Sequence, residues 1–139
     1  MSQTNSNANA NANSSITSIF NNHFLEFLDD IQNVFPDDVD IKAAKNSIVT
    51  IRKANPKLLI KIWTKYVVLP YQKEIADGNI NFFISKDYSS DLVKTDNSNK
   101  IMDVIDRLRE PIKLMSEENQ QKTMKYIQNL SKLALAAKE

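Results

Sequence analysis

The sequence predicts an all-α fold: a single compact domain of about five helices that follows a polar N-terminal tail. Apolar residues recur at three- and four-residue spacing along most of the chain, which is the period of one helix face. Proline, asparagine, aspartate and serine stand between these stretches, where helices begin and end. The chain has one glycine, no cysteine and no pair of strong strand patterns, so the sequence indicates neither a sheet nor a disulfide framework.

The first segment, residues 1–14, is predicted to be a disordered tail. It consists almost entirely of Asn, Ala, Ser, Thr and Gln, and these side chains bury too little apolar surface to offset the entropy of ordering. It has neither the basic residues nor the apolar run of a signal or transit peptide. We therefore place the helical domain at residues 15–139 and expect a cytoplasmic protein that is not secreted. The longest apolar stretch, Tyr66–Leu69, is too short to insert across a membrane.

The first two predicted helices meet at a proline. Helix formation is disfavoured immediately before Pro36, so the first helix ends near Phe35, and Asp37 and Asp38 are suited to cap the second, which runs to about Ala54. The apolar face of the first helix consists of Ile16, Ile19, Phe20, Phe24, Phe27, Leu28, Ile31, Val34 and Phe35, and that of the second consists of Ile41, Ala44, Ile48 and Ile51.

The third predicted helix begins at Asn55-Pro56, an N-cap residue followed by proline at the first helical position. Pro70 lies within its pattern and predicts a kink, because proline lacks the amide donor that a helix interior needs. Gly78 is predicted to end the helix as a left-handed cap. Its core face, formed by Leu59, Ile62, Trp63, Tyr66 and Val67, makes this helix the expected centre of the fold.

The last part of the chain is predicted to contain a loop and two helices. Residues 79–99 are interpreted as a loop with helical turns, flexible over 94–99, because a lone strand would leave its backbone groups unpaired. The fourth helix runs from about Asn99 to Met115, with a kink at Pro111. The fifth begins after Ser116 and runs to Lys138, with Met124, Ile127, Leu130, Leu133 and Ala134 facing inward.

Charge and composition exclude several classes of function. Eighteen Lys and Arg against seventeen Asp and Glu give a net charge of +1, so no strong overall field attracts nucleic acid or an anionic membrane. One histidine and no cysteine exclude the usual multi-histidine and thiolate zinc sites. A single glycine excludes the GxGxxG and GxxxxGK[ST] phosphate loops. We expect no cofactor, no catalytic residue and no enzymatic activity.

A group of aspartates and the single histidine could suggest a metal site or a general base, but a structural role explains both better. The aspartates near the second helix resemble a hard-cation site but match no EF-hand loop, and capping explains those at its start. His23 has neither a nucleophile nor an orienting acid that can be placed beside it. We predict no metal site. The aspartates are Asp29, Asp30, Asp37, Asp38 and Asp40.

A row of lysines is the candidate nucleic-acid contact. Lys57, Lys61 and Lys65 recur every four residues in the third predicted helix, and residues 55–76 carry four lysines and one acid. An exposed row of this kind could follow a phosphate backbone while an aromatic side chain stacks on a base. The alternative, which we favour, is that the row is the solvated face of an amphipathic helix.

The aromatic segment at residues 80–91 is the candidate protein contact. Phe82, Phe83 and Tyr88 can be presented to a partner as an exposed anchor. The alternative, which we favour, is that the segment folds back and closes the helical core. Both interpretations remain open at this point.

The pattern W-x-x-Y-V-x-x-P-Y-x-x-x-I-x-x-G-x-x-x-F-F-x-x-K-D-Y-x-x-D, from Trp63 to Asp91, resembles small uncharacterised helical proteins of nucleocytoplasmic large DNA viruses (giant viruses). F-L-E-F-L at 24–28 and Y-I-Q-N-L at 126–130 extend the resemblance over most of the chain after the tail. The resemblance implies a lineage and a place, the virion or the host cytoplasm, and carries no catalytic motif.

Together these observations predict a non-enzymatic viral protein, associated with the virion or acting as a protein–protein interaction module. Its partners would be other proteins, including virion components. The alternative is a nucleic-acid-binding accessory protein that uses the lysine row. Salt distinguishes the two, because phosphate contacts weaken steeply as salt rises and apolar contacts do not.

Overall fold

The structure is a computed structural model that describes the backbone of residues 3–85 and 96–137 and the side chains of residues 16–85 and 100–137. Every regular element within these ranges is helical, which confirms the all-α class, and the buried apolar side chains form one core. The elements are α1 (Gln3–Val34), α2 (Val39–Ala54), α3 (Leu58–Trp63), a π-helical turn (Thr64–Val68), α4 (Gln72–Ala76), α5 (Asn81–Ser85), α6 (Asp96–Arg107), α7 (Arg109–Leu114) and α8 (Glu117–Ala136).

The described helical segments outnumber the five predicted for two reasons: the third and fourth predicted helices are both interrupted, and α5 lies in the segment predicted as a loop with helical turns. The backbone of α1 includes most of the polar segment at residues 1–14, whose side chains lie outside the described set, so the disordered tail stays a prediction. Likewise, the backbone of α6 begins at Asp96, within the segment expected to be flexible.

The junction between α1 and α2 follows the sequence closely. Asp38 caps α2, and its Oδ1 accepts hydrogen bonds from the backbone amides of Asp40 at 2.9 Å and Ile41 at 3.2 Å. All four residues of the predicted apolar face of α2 are buried. A local capping signal and a regular apolar period were therefore sufficient to predict this helix.

The start of α3 differs from the prediction. Asn55 is the C-cap of α2, with its amide donating to Ile51 O at 2.8 Å, and its carbonyl accepts from the Leu58 amide at 3.2 Å. The prediction that Asn55 caps α3 and that Pro56 opens the helix is wrong, because α2 runs to Ala54 with Asn55 as its C-cap, and α3 begins only at Leu58. The hydrogen bond from Leu58 closes the turn between the two helices.

A π-helical turn follows α3 and changes which residues reach the core. The Leu69 amide donates to Thr64 O, five residues earlier, at 3.0 Å, and the Thr64 hydroxyl donates to Ile60 O at 2.7 Å. The wider turn buries both Val67 and Val68. Tyr66, predicted to be a core residue, is only partly buried as a result.

Gly78 ends α4 as predicted. Its φ is +72°, and the amides of Gly78 and Asn79 donate to Ile75 O at 3.1 Å and Glu74 O at 2.9 Å. These two bonds form a Schellman motif, in which the left-handed residue lets the chain turn back over the last carbonyls of the helix.

The predicted fourth helix is divided into α6 and α7 at Leu108, whose amide is shared between Val104 O and Ile105 O at 3.2 Å each. Pro111, in the first turn of α7, has no amide to donate to the carbonyl of Arg107, which leaves the α-helical ladder incomplete at this point. Ser116 then caps α8, with its Oγ accepting from the Asn119 amide at 3.2 Å.

The core is organised around Trp63. α1 packs against α2 and α8, while α3 contacts α1, α2, α6 and α8, which confirms it as the centre of the fold. The Trp63 ring lies 6.4 Å from Phe20, 5.6 Å from Phe24 and 6.3 Å from Phe83, measured between ring centroids. Its buried indole Nε1–H donates to Ser131 Oγ at 3.3 Å, and that hydroxyl donates to Ile127 O at 2.8 Å.

Replacing Ser131 with alanine is expected to lower the free energy of unfolding by about 1–3 kcal/mol, because the buried indole N–H loses its acceptor. Urea denaturation measures the change. Lys132→Ala, at the exposed neighbouring position, is the control and should shift stability by no more than about 0.5 kcal/mol. Equal stabilities for S131A and the wild type would contradict the importance of this bond.

Gly78→Ala is expected to cost about 1 kcal/mol from backbone strain at positive φ. The added Cβ would lie 3.7 Å from Gln128 Nε2, an ordinary contact, so steric overlap adds nothing. Gly78→Asn should lose less, since asparagine enters this conformation more readily. Thermal or urea unfolding compares the variants, and a larger loss for asparagine than for alanine would rule out the backbone explanation.

Candidate functional site

The structure places the three lysines of the predicted row on the surface. Lys57 immediately precedes α3, Lys61 lies within it, and Lys65 lies in the π-helical turn; all three side chains are exposed. No ion pair within the described part of the chain involves any of them. Trp63 is fully buried, so it is not available to stack on a base beside the row.

Two shallow grooves lie between the C-terminal half of α8 and the elements from α3 to α4. The first, of about 520 Å³, is lined by Lys61, Lys65, Leu69 and Leu135, and the second, of about 460 Å³, lies on the other side of Leu135. Leu69 and Leu135 are 54% and 51% exposed, so two large apolar side chains border the same groove. We call this pair of grooves the C-terminal groove.

A third concave surface lies where α1, α2 and the start of α3 meet. We call it the Asn21 cleft; its volume is about 640 Å³, and its lining includes Asn21, Leu25, Val49, Arg52, Lys53 and Lys57. Asn21 is 1% exposed and its Nδ2 donates to Pro56 O at 2.9 Å. Its Oδ1 is also buried and accepts no hydrogen bond.

The aromatic segment at 80–91 is only partly described, and the described part does not form an exposed anchor. Phe83 is fully buried against Trp63, which corrects the hypothesis that it contacts a partner. Phe82 is partly buried, with its ring centroid 5.0 Å from that of Tyr71. Tyr88 lies outside the described residues. Because Phe83 completes the aromatic core, this part of the segment acts as the predicted plug.

The aspartates near α2 take part in local contacts. Asp38 caps the helix, Asp29 forms an ion pair with Lys45, and Asp40 pairs with Arg107 at 3.1 Å. Within the described ranges, no three His, Cys, Asp or Glu side chains are grouped so as to hold a metal ion.

His23 lies against Tyr126, with the ring centroids 4.9 Å apart, and its Nδ1 is 3.4 Å from Glu26 Oε1. The other ring nitrogen, Nε2, is buried without a hydrogen-bond partner. Burial raises the pKa of the Tyr126 phenol, and the nearby carboxylates of Asp30, Glu26 and Asp29 raise it further. These contacts make the histidine part of the α1–α8 packing, as expected for a residue at the margin of an apolar face.

The sequence analysis did not predict the exposure of two leucines or the burial of Asn21. Leu69 precedes a proline and Leu135 falls outside the apolar stripe of α8, and this departure from the stripe is the signal that could have identified Leu135. Nothing in the sequence marks Asn21 as buried, because its environment depends on Pro56, which is 35 residues away in the chain.

Comparison of the chain with protein-family models, with curated proteins and with solved structures gave no match. In the described part of the chain, no helix is both long enough and apolar enough to cross a membrane.

The raised pKa of Tyr126 predicts a loss of stability in alkaline solution. The folded state favours the neutral phenol, so its contribution is complete below the unfolded pKa of about 10 and is lost as pH rises through the higher folded pKa. Urea denaturation across this range should show a decline that Tyr126→Phe reduces. If the wild type and Tyr126→Phe lose stability equally, the alkaline decline is caused by titratable groups other than Tyr126.

Proposed function

We propose that the protein is a non-enzymatic interaction protein that binds an acidic amphipathic segment of another protein in the C-terminal groove. The observation that carries the proposal is the exposure of Leu69 and Leu135 beside adjoining concave surfaces. Fully burying a leucine side chain contributes about 1.5–3 kcal/mol, so two half-exposed leucines supply an apolar anchor of useful size.

The shape of the groove favours a helical partner. The groove extends along α8 from the π-helical turn to α4, with Leu135 between its two parts. An amphipathic helix presents apolar side chains at three- and four-residue spacing, which suits a groove with apolar side chains along its length. Small residues such as Ala134 and Ala137 in the lining allow a partner backbone to approach closely.

The charge of the groove favours an acidic partner. Lys61 and Lys65 line one part and Lys132 the other, and the described lining of both parts contains no aspartate or glutamate. A partner with carboxylates flanking its apolar face would therefore meet complementary charge, which increases association rate and specificity. In this proposal Lys61 and Lys65, two of the three predicted nucleic-acid contacts, contact a protein partner instead.

A viral origin and a place in the virion or the host cytoplasm form part of the proposal. They are supported by the sequence resemblance from Trp63 to Asp91. The proposed binding function does not depend on that origin, because it follows from the shape, exposure and charge of the C-terminal groove.

The proposal is tested by affinity capture with Leu69→Gln/Leu135→Gln, which removes the apolar anchor and should leave the core intact. Val39→Gln/Leu114→Gln is the matched control, since both side chains are 73% exposed and lie away from the groove. Lysates are treated with nuclease, and the captured proteins are identified by mass spectrometry. We expect wild type and control to capture the same proteins and the groove variant to lose them.

Cross-linking through Lys61 and Lys65 identifies the partner segment, which should be acidic and amphipathic. Equal capture by the groove variant, loss of capture on nuclease treatment, or cross-links to a segment without carboxylates would each refute the proposal.

A second candidate function, nucleic-acid binding, is favoured by the exposure of Lys57, Lys61 and Lys65 and by their lack of ion pairs within the described structure. Reversing all three charges to glutamate should abolish binding to single-stranded nucleic acid. Lys42→Glu/Lys73→Glu/Lys113→Glu, at three other exposed positions, should retain more of it. The logarithm of wild-type affinity should fall with the logarithm of salt with a slope of about −0.7 per neutralised phosphate. Equal losses in the two variants would show nonspecific charge effects only.

A further inference from the structure

Two strongly exposed apolar side chains lie away from the C-terminal groove. Of the large apolar side chains that the structure describes, Val39 and Leu114 are the most exposed, at 73% each. Val39 is the first residue of α2, and Leu114 is the last residue of α7. An ion pair of 3.1 Å between Asp40 and Arg107 holds the first turn of α2 beside the end of α6, which is followed directly by α7.

The direction of α8 places both side chains at the same end of the molecule. Tyr126 stacks on Phe27 of α1, with the ring centroids 5.4 Å apart. Later in α8, Ser131 is bonded to Trp63, whose ring contacts the earlier α1 residue Phe20. The two helices are therefore antiparallel, and α8 begins beside the end of α1, where α2 also begins. We call this part of the molecule, residues 34–41 and 113–118, the junction end.

The junction end is acidic. Residues 34–41 contain three aspartates and no Lys or Arg, and residues 113–118 contain two glutamates and one lysine. Asp37, Glu117 and Glu118 are exposed and take part in no ion pair within the described part of the chain. The next cations along the helices are Lys42 and Arg107, and Arg107 is already paired with two aspartates. Negative charge is therefore in excess around the two apolar side chains.

The junction end and the C-terminal groove lie at opposite ends of α8. Leu114 stands three residues before this helix, and Leu135 is its last residue but one. A helix of 20 residues is about 30 Å long, so one copy of the chain cannot bring the two surfaces together. Two copies can, because the surfaces are complementary: one is acidic, the other is lined by lysines, and each carries two exposed apolar side chains.

We propose that the junction end of one copy of this chain docks in the C-terminal groove of a second copy, so that the protein self-associates head to tail. The apolar side chains of the junction end lie against Leu69 and Leu135, and its carboxylates face Lys61 and Lys65. The contact is heterologous, since it joins two different surfaces. A net charge of +1 gives the copies little mutual repulsion. The inference rests on the proposed function, because it names an occupant of the same groove.

Analytical ultracentrifugation of the purified full chain tests the proposal. The average mass should rise with protein concentration, and association should weaken as salt rises, because charge contributes to the contact. Leu69→Gln/Leu135→Gln and Val39→Gln/Leu114→Gln should each weaken self-association at least about tenfold. Ile19→Gln is the control, since this side chain is 51% exposed and belongs to neither surface, and it should associate like the wild type.

A mixture of the two double variants distinguishes a heterologous contact from any other. Each variant keeps the surface that the other lacks, so an equimolar mixture should form dimers and no larger species. Dimers in the mixture also show that both variants are folded. A wild type that stays monomeric up to about 1 mM, a double variant that associates alone as well as the wild type, or a mixture that stays monomeric would each overturn the proposal.

Affinity capture from lysate separates failure of this inference from failure of the proposed function. Untagged copies of this chain should be captured by both double variants, because each keeps one of the two surfaces. Other proteins should be lost with Leu69→Gln/Leu135→Gln alone. If the purified chain stays monomeric while this variant loses other proteins, only self-association is overturned. If the purified chain self-associates and other proteins bind this variant as well as the wild type, only the proposed function is overturned.

Discussion

The burial of one tryptophan side chain is the constraint on which the rest of the fold depends. Trp63 brings the aromatic face of α1 and the plug residue Phe83 into contact, and its indole N–H is joined to α8 through Ser131. A large apolar ring with one polar group is stable in a core only when that group has a partner. Ser131 in turn donates to Ile127 O, which connects the indole to the backbone of α8. The position of Trp63 that packs best against the aromatic core is therefore also the one in which its N–H group has an acceptor.

Features set by local chemistry could be predicted from the sequence. The caps at Asp38 and Ser116 and the left-handed Gly78 each depend on residues within about one or two helical turns of one another. The apolar stripe of α2 depends on a spacing of three or four residues that repeats along a single helix. The physical cause of each lies in a short stretch of chain. The caps need a side-chain acceptor beside free amides, the left-handed turn needs a residue without a Cβ, and the stripe needs a regular period.

Features set by tertiary contact could not be predicted in this way. An aromatic pair next to polar residues is consistent with both an exposed anchor and a core plug, and only its proximity to Trp63 decides that Phe83 is buried. The burial of Asn21 depends on a carbonyl 35 residues away in the sequence. The exposure of Leu69 and Leu135 depends on how the π-helical turn and α8 meet. Single-sequence periodicity contains no information about these distances. The four-residue spacing of Lys61 and Lys65 marked part of the C-terminal groove, but its shape and its exposed leucines are evident only in the structure.

The π-helical turn at Thr64–Val68 also marks a place where the chain can change in length. A π turn accommodates one residue more than an α-helical turn. If one residue were deleted here, the Leu69 amide could still donate to Thr64 O, now four residues earlier as in an α-helix, so Leu69 would keep its position beside α8. A deletion within an ordinary α-helix would instead rotate every later residue by about 100°. The fold is therefore more tolerant of losing a residue in this turn than in the regular helices around it.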